Sequence, residues 1–396
     1  MRIVYVTAEL PYGTDEAFVV PEISELLRCG HQVLIVPRSP GGRLLHGRDL
    51  LAHARIESLC SARVLKTAAR VAMANPKRVA NAVQKVLASK AGKNAAIVPK
   101  ALWLAQIAQE WRADHIHCHW AGTTASMAMV ASAVSAIPWS FTAHRWDIVE
   151  NNLLAAKARD ANFARFISED GLAMARARGV RASDRTRIIH MGVALPRGTH
   201  PARAGNVVLC PARFVEVKGH RYLLEAWCAL KERGVRGELW LAGDGELRPQ
   251  LETLVRDFEI GGSVKFLGAL PHDQLLTIYS QGLASMVVLA SIDMGGGCHE
   301  GIPVALIEAM SFGIPVIATR TGGTPELIKS GCGLLVPGAD PVALADAMER
   351  VLLNPDDARE MARRGRQRAF DSFDITCVAA ELVAAFSGEH KIAANF

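Results

Sequence analysis

The chain has no C-x-x-C pair and no apolar run long enough to cross a bilayer. Its cysteines stand singly, at Cys29, Cys60, Cys118, Cys210, Cys228, Cys298, Cys332 and Cys377. That spacing excludes the disulfide framework of small secreted proteins and offers no paired zinc ligands. A reducing, cytoplasmic setting is the expectation. The most apolar later stretch, Ala125 to Phe141, is rich in Ala and Ser and is broken by Pro138. A spanning helix needs about 20 predominantly apolar residues, so this stretch reads as a buried helix followed by a strand. The N-terminal run MRIVYVTAELP is short and interrupted by Glu9 and Pro11, unlike a signal peptide. Lys+Arg number 45 against 39 Asp+Glu, a net charge of +6, and half the residues are apolar. Intrinsic disorder is excluded by that composition. At about 100–200 residues per domain, the 396 residues make two or three domains.

What is present is a regular alternation. In the second half the runs NVVLCPA, GELWLAG, SVKFLGA, ASMVVLA, PVIATR and GLLVP are separated by amphipathic segments such as HRYLLEAWCALKERG. Near-continuous apolar strands between helices imply a parallel sheet covered on both faces. The first half repeats the theme with RIVYVT, HQVLIVP, DHIHCHW, WSFTAH, FARFIS and RIIHMG, and the linker VALPRGTHPARAGN follows at 193–206. The expectation is an α/β chain of two Rossmann-like, doubly wound domains, 1–198 and 199–376, with a terminal helix at about 377–396 packing back on the first.

One segment departs from this pattern. From Arg55 to Lys100 there are ten basic residues and one acid, Glu57, a balance of +9 that leaves the rest of the chain at −3. The intervening Ala, Val and Leu fall at helical spacing, with Pro76 dividing two helices. A basic helical patch with an apolar face favours an anionic membrane surface, at about 1 kcal/mol per basic residue held near it. A merely solvated helical face is the alternative. No zinc knuckle, RNA-binding signature or helix-turn-helix accompanies the charge, so no nucleic acid is expected as a partner.

The sharpest feature is GGGCHEGIPVALIEAMSFGIPVIATRTGGTPELI, residues 295 to 328. Glu300 lies on a Gly-rich loop that enters a helix, and Glu308 about two turns on. Both carboxylates can accept hydrogen bonds from sugar hydroxyls. Gly301, with Ile302 and Val304 on either side of the donor-less Pro303, offers backbone N–H groups to a ligand. Gly322 and Gly323, after the next strand, offer more.

The run EGIPVALIEAM, followed by GIPVIAT and TGGTPELI, resembles the signature of glycosyltransferase family 4, retaining enzymes of GT-B fold, and the resemblance extends over nearly the whole chain. It implies two Rossmann-like domains facing across a cleft, with the donor held by the second. Glu300 is implied beside the transferred sugar and Glu308 on the ribose hydroxyls. Upstream, ARFVEVKGH resembles the family's arginine–lysine element, implying that Arg213 and Lys218 clamp the donor diphosphate. Two fixed cations and helix N-termini can stabilise a departing diphosphate without a metal. The chain has no D-x-D, the acidic pair of metal-using glycosyltransferases of the other common fold. Neither metal nor other cofactor is expected.

In the first domain, FTAHRWDI ends a strand at His144, where the family commonly has a His reaching the donor sugar's hydroxyls. Asp147 is an acceptor-side candidate. In HIHCHW, residues His115, His117 and His119 alternate onto one face, which suggests a metal, but a central strand seldom lets three ligands converge. His119 and Trp120 instead resemble the family's strand end near the acceptor. The first loop, PYGTDEAFVVPEI, carries Gly13 alone where many members have paired glycines. It is similar to the exopolysaccharide branch, whose loops resemble P-x-x-S-E-T-F with a following E-I.

The expected activity is retaining transfer of a hexose from a nucleotide-diphosphate sugar to a lipid-linked glycan in cell-surface or exopolysaccharide synthesis, at the cytoplasmic face of the membrane. A sugar-nucleotide epimerase of the same fold and a non-catalytic scaffold subunit are the alternatives.

Overall fold

The computed structural model describes residues 1–13, 16–41, 44, 48–87, 92–183, 185–196, 206–329 and 331–388. They divide into two compact units, Met1–Gly192 with Ile375–Phe396, and Val193–Asp374. Most of the linker lies outside the described residues.

The first unit is a parallel sheet of β1 (Arg2–Thr7), β2 (Gln32–Pro37), β3 (His115–His119), β4 (Trp139–Ala143), β5 (Phe163–Phe166) and β6 (Thr186–Ile188), in the order β2-β1-β3-β4-β5-β6. Pleating sends alternate residues of each strand to opposite faces. Val4, Val6, Ile116 and Cys118 pack with Ala101, Trp103 and Met127 from the helices Val98–Glu110 and Thr123–Ser135. Ile3 and Tyr5 pack on the other face with Ile23, Leu26 and Leu382 from the helices Val20–Arg28 and Ile375–Phe386. With both faces covered, these strands are apolar throughout rather than alternating. The three histidines of β3 break the rule, and they share the Tyr5 face: Phe386 lies 4.9 Å from His115 and 5.3 Å from His117, ring centroid to ring centroid.

The second unit contains β7 (Val207–Pro211), β8 (Glu238–Ala242), β9 (Val264–Gly268), β10 (Met286–Leu289), β11 (Val316–Thr319) and β12 (Leu334–Val336). All pairs are parallel, in the order β12-β11-β10-β7-β8-β9. Trp227, Leu223, Leu224 and Leu230 bury one side of the helix His220–Glu232 against the sheet. Strand order reverses between β1 and β3 in the first unit and between β7 and β10 in the second. Loops at such a reversal diverge and open a crevice at the carboxyl ends of the strands, where ligands bind in open α/β sheets.

The basic segment forms the helices Ala62–Ala74 and Pro76–Leu87. Lys66, Arg70, Lys77 and Arg78 are exposed there, as are Leu65, Met73 and Leu87. Lys100 is a correction to the expected patch. Its side chain is fully buried, and Nζ donates to the carbonyls of Pro37, Arg38 and Glu57 at 2.5–2.8 Å. It caps the end of β2 instead of facing solvent, and burial lowers its pKa to about 8. Lys90 lies outside the described residues. No helix among the described residues is long and apolar enough to cross a membrane.

Candidate functional site

In the second unit, the loops after β7, β10 and β11 are stitched together at the strand reversal. The Ile292 amide donates to Val217 O at 2.9 Å, the Thr319 hydroxyl donates to Ser291 O, and the Gly323 amide reaches Glu300 O at 3.4 Å. Two glycines permit this closeness. Gly219, at φ +61°, lies against the Ala290 carbonyl, 2.0 Å from where a Cβ would stand. Gly322, at φ +46°, would place a Cβ 1.8 Å from Glu300 O. Any side chain at either position would push the loops apart.

The stitching brings Lys218 and Glu300 together: Lys218 Nζ is in direct contact with Glu300 Oε2, which also accepts from the Ser291 hydroxyl at 3.1 Å. Arg213 follows β7 and is exposed, with no carboxylate partner among the described residues. Gly301 is exposed, Ile302 is half-buried, and Pro303 caps the helix Val304–Ser311. The first amides of any helix have no partner inside it, so Val304 sits where a ligand oxygen would be welcome. Glu308, one turn further, is buried and accepts from His272 Nε2 at 2.7 Å. Burial raises its pKa; His272 opposes the shift. The structure thus joins a cation to a carboxylate, Lys218 to Glu300, just before the start of the helix that carries Glu308.

In the first unit, His119 and Trp120 end β3 and His144 ends β4. His119 is fully buried and Trp120 half-buried, with its indole N–H donating to Glu16 at 2.8 Å. The His144 ring packs 4.6 Å from Trp120 and 4.9 Å from Phe18. Asp147 does not face solvent. It forms a capping box with His144 at the start of Arg145–Glu150, accepting from the His144 amide at 2.7 Å, and also accepts from the Ala121 amide. Its carboxylate therefore holds the turn that presents His144, and burial pushes its pKa up to about 7. Gly13 has φ +71° and lies beside Glu9. The amides at the end of β1 are already occupied: those of Ala8, Glu9 and Leu10 all donate to the Glu16 carboxylate at 2.8 Å. An internal anion fills the place that an incoming phosphate would need.

The three β3 histidines do share one face, and Glu22, His117 and His119 present ligand atoms within 4.8 Å of one another. The donor set does not suit a metal ion. Arg165 already pairs with Glu22 at 2.7 Å, placing a fixed positive charge where a second would be repelled, and both His117 nitrogens are hydrogen-bonded, to Ser140 at 2.7 Å and Thr142 at 2.9 Å.

Residues 197–368 match the glycosyl transferases group 1 family. The sequence is 31% identical over 205 residues to a protein of Escherichia coli strain K12 named for colanic acid biosynthesis, WcaL, covering 50% of each chain. It is 33% identical over 168 residues to the amylovoran biosynthesis glycosyltransferase AmsK of Erwinia amylovora, covering 42% of this chain and 41% of AmsK. The chain thus spans about half the length of the curated relatives it matches. The fold likeness extends further: Anabaena HepE, solved in complex with UDP, superposes with TM-score 0.72 at 17% identity, covering 98% of this chain and 100% of HepE. Both units have the Rossmann-like form of GT-B proteins. A sequence resemblance over nearly the whole chain is the expectation these matches narrow: in sequence it covers about half, in fold nearly all.

All the residues expected on the donor side, from Arg213 to Gly323, fall within the segment that matches that family. The partners Ser291 and His272 are absent from the sequence reading. His272 opens the helix His272–Ser280, after β9, and LPHDQL gives no hint that its ring meets a carboxylate 36 positions on. Glu16 and Arg165 of the first unit are also absent, and Glu22 enters only as the acid of the E-I that follows the first loop. Arg165 does leave one trace, a charge inside the otherwise apolar strand FARF.

Proposed function

We propose that the protein is a retaining, metal-independent glycosyltransferase that moves a hexose from a nucleotide-diphosphate sugar to a glycan or lipid-linked glycan acceptor in cell-surface or exopolysaccharide synthesis. The observation that carries this reading is the Lys218–Glu300 contact at the strand reversal of the second unit, with Arg213 and Glu308 on the adjoining loops and helix. Lys218 and Arg213 supply the positive charge that a departing diphosphate requires. Glu300 and Glu308 supply acceptors for the hydroxyls of sugar and ribose. A front-face departure, with the leaving phosphate taking the acceptor's proton, suits a site rich in cations and poor in bases. The relatives named for exopolysaccharide synthesis and the UDP complex of HepE support the same substrate class.

Thermal shift against a panel of nucleoside diphosphates and their sugars tests donor use. At 100 times its Kd, the matching ligand stabilises its unit by about 2.7 kcal/mol, a rise of about 5–10 °C. Silence across the whole panel would refute donor binding. Donor incubated without acceptor should hydrolyse slowly; an epimerised sugar nucleotide would favour the epimerase instead.

The exposed basic residues of Ala62–Ala74 and Pro76–Leu87, interleaved with Leu65, Met73 and Leu87, fit an anionic membrane surface at the cytoplasmic face. Cosedimentation with anionic vesicles is expected at low salt, with release near 1 M, where the screening length falls to about 3 Å. Equal binding to neutral vesicles would remove the proposal.

A further inference from the structure

The carboxyl ends of β1, β2 and β3 leave a cavity of about 570 Å³ in the first unit, within the size range of small-molecule sites. Glu9, Tyr12 and Glu16 follow β1, Arg38 follows β2, and Trp120 follows β3; Trp146 reaches the cavity from the helix Arg145–Glu150. The cavity lies at the strand reversal of this sheet, where open α/β sheets receive ligands.

Its walls hold groups that the fold leaves available. Trp146 is 66% exposed, with the Arg145 guanidinium 5.0 Å from its ring centroid. Arg38 is half-buried, and its Nε is buried with no hydrogen-bond partner among the described residues. A buried N–H left unpaired is costly until something meets it. Glu9 is exposed, and its Oε2 lies 2.6 Å from where a Cβ on residue 13 would stand. Gly13 thus makes room for a carboxylate of the protein itself.

This set suits a sugar. A pyranose has an apolar C–H face that lies on an aromatic ring, and hydroxyls around its rim that both donate and accept. Trp146 and Tyr12 supply rings, the Arg38 guanidinium supplies donors, and Glu9 supplies an acceptor. The same set rejects an anion. Two acids, Glu9 and Glu16, line the cavity against the one cation, Arg38, and Glu16 already holds the strand-end amides of Ala8, Glu9 and Leu10.

We propose that this cavity is a subsite for one uncharged sugar, the residue that ends the acceptor glycan, stacked on Trp146 and hydrogen-bonded by Arg38 and Glu9. The chain then extends a glycan and does not start one: another glycosyl transfer must first have placed a sugar on the carrier. The acceptor role rests on the transferase function proposed above; the affinity for sugar does not.

Saturation-transfer NMR on the full chain, without donor, tests the subsite. The probes are methyl glycosides of neutral hexoses, their disaccharides and a short-chain isoprenyl phosphate. At least one neutral saccharide should take up saturation at its ring C–H protons. Trp146→Ala should weaken that binding about 10–100-fold, and Trp146→Phe should restore part of it. Because Trp146 is mostly exposed, its loss spares the core. In transfer assays the acceptor KM of Trp146→Ala should rise by the same factor, with donor KM changed less than about threefold. Silence from every neutral saccharide, equal binding by Trp146→Ala, or displacement of the saccharide by the isoprenyl phosphate would each overturn the proposal. Nucleotide thermal shift separates the two readings. Saccharide binding with no nucleotide response refutes the transferase and leaves the sugar site; a nucleotide response with no saccharide binding refutes the sugar site alone.

Discussion

Lys218→Ala lowers kcat for sugar transfer by about 10²–10³-fold, the usual consequence of removing one preorganised charge from a developing anion. Lys218 is half-buried and already touches Glu300, so the ammonium is held in place before any ligand arrives. An arriving diphosphate must share it with Glu300. The two substitutions therefore separate binding from chemistry. Lys218→Ala should also abolish the thermal shift given by the nucleoside diphosphate. Glu300→Gln keeps an acceptor for Ser291 and removes the competing charge, so nucleotide affinity holds or rises while transfer falls. Steady-state kinetics at saturating donor, with thermal shift on the same proteins, reads both. Unchanged transfer by either variant would show that the pair is only structural.

Acid opens the first unit before the second. Burial holds the folded-state pKa of His115 at about 3 and those of His117 and His144 well below the usual value. An unfolded histidine takes a proton near 6.5. Stability is therefore complete above about pH 6.5 and declines as pH falls toward the folded values, at about 1.4 kcal/mol per pH unit for each ring. Asp147 works in the opposite direction, because its raised pKa of about 7 lets the folded chain bind a proton that the unfolded chain refuses until about pH 4. Two net protons remain, a slope of about 3 kcal/mol per pH unit between about pH 6 and 4, which is steep against a total stability of about 5–15 kcal/mol. Glu22 adds to the loss only below about pH 4, where its unfolded form is protonated. The second unit has one comparable ring, His220 at about 4, and Glu308, raised by burial, opposes it. Hydrogen exchange resolved by unit should show β1–β5 losing protection at higher pH than β7–β11. Earlier opening of the second unit would contradict this. His115→Phe should flatten the slope by about one proton.

Every strand of both sheets is legible in the sequence, because a strand covered on both faces must be apolar along its length and the segments between are visibly amphipathic. The donor-side candidates are legible for a related reason. They sit on loops after β7, β10 and β11, and chain order is enough to bring those loops to one edge. Partners joined only by tertiary contact are not legible. Arg165 and Glu22 are 143 positions apart, Trp120 and Glu16 are 104, and nothing local in either stretch announces the other. Lys100 shows the converse error. It shares the helical spacing of its basic neighbours, yet the carbonyls of Pro37 and Arg38 at the end of β2, with that of Glu57, draw it inward. Asp147 has a local cause after all, since a carboxylate three residues past an N-cap often turns back on that cap's amide.

The return of Ile375–Phe386 to the first unit governs the order in which a ribosome can finish this molecule. Translation releases Met1–Gly192 first, but the face of Ile3, Tyr5 and the β3 imidazoles stays only partly covered, by Val20–Arg28, until Val378, Leu382 and Phe386 emerge some two hundred codons later. The second unit has all its own residues by Asp374, so the half begun first is completed last. A nascent chain stalled near its end would carry a finished C-terminal lobe and an N-terminal lobe with a greasy flank, the kind of surface that chaperones shield.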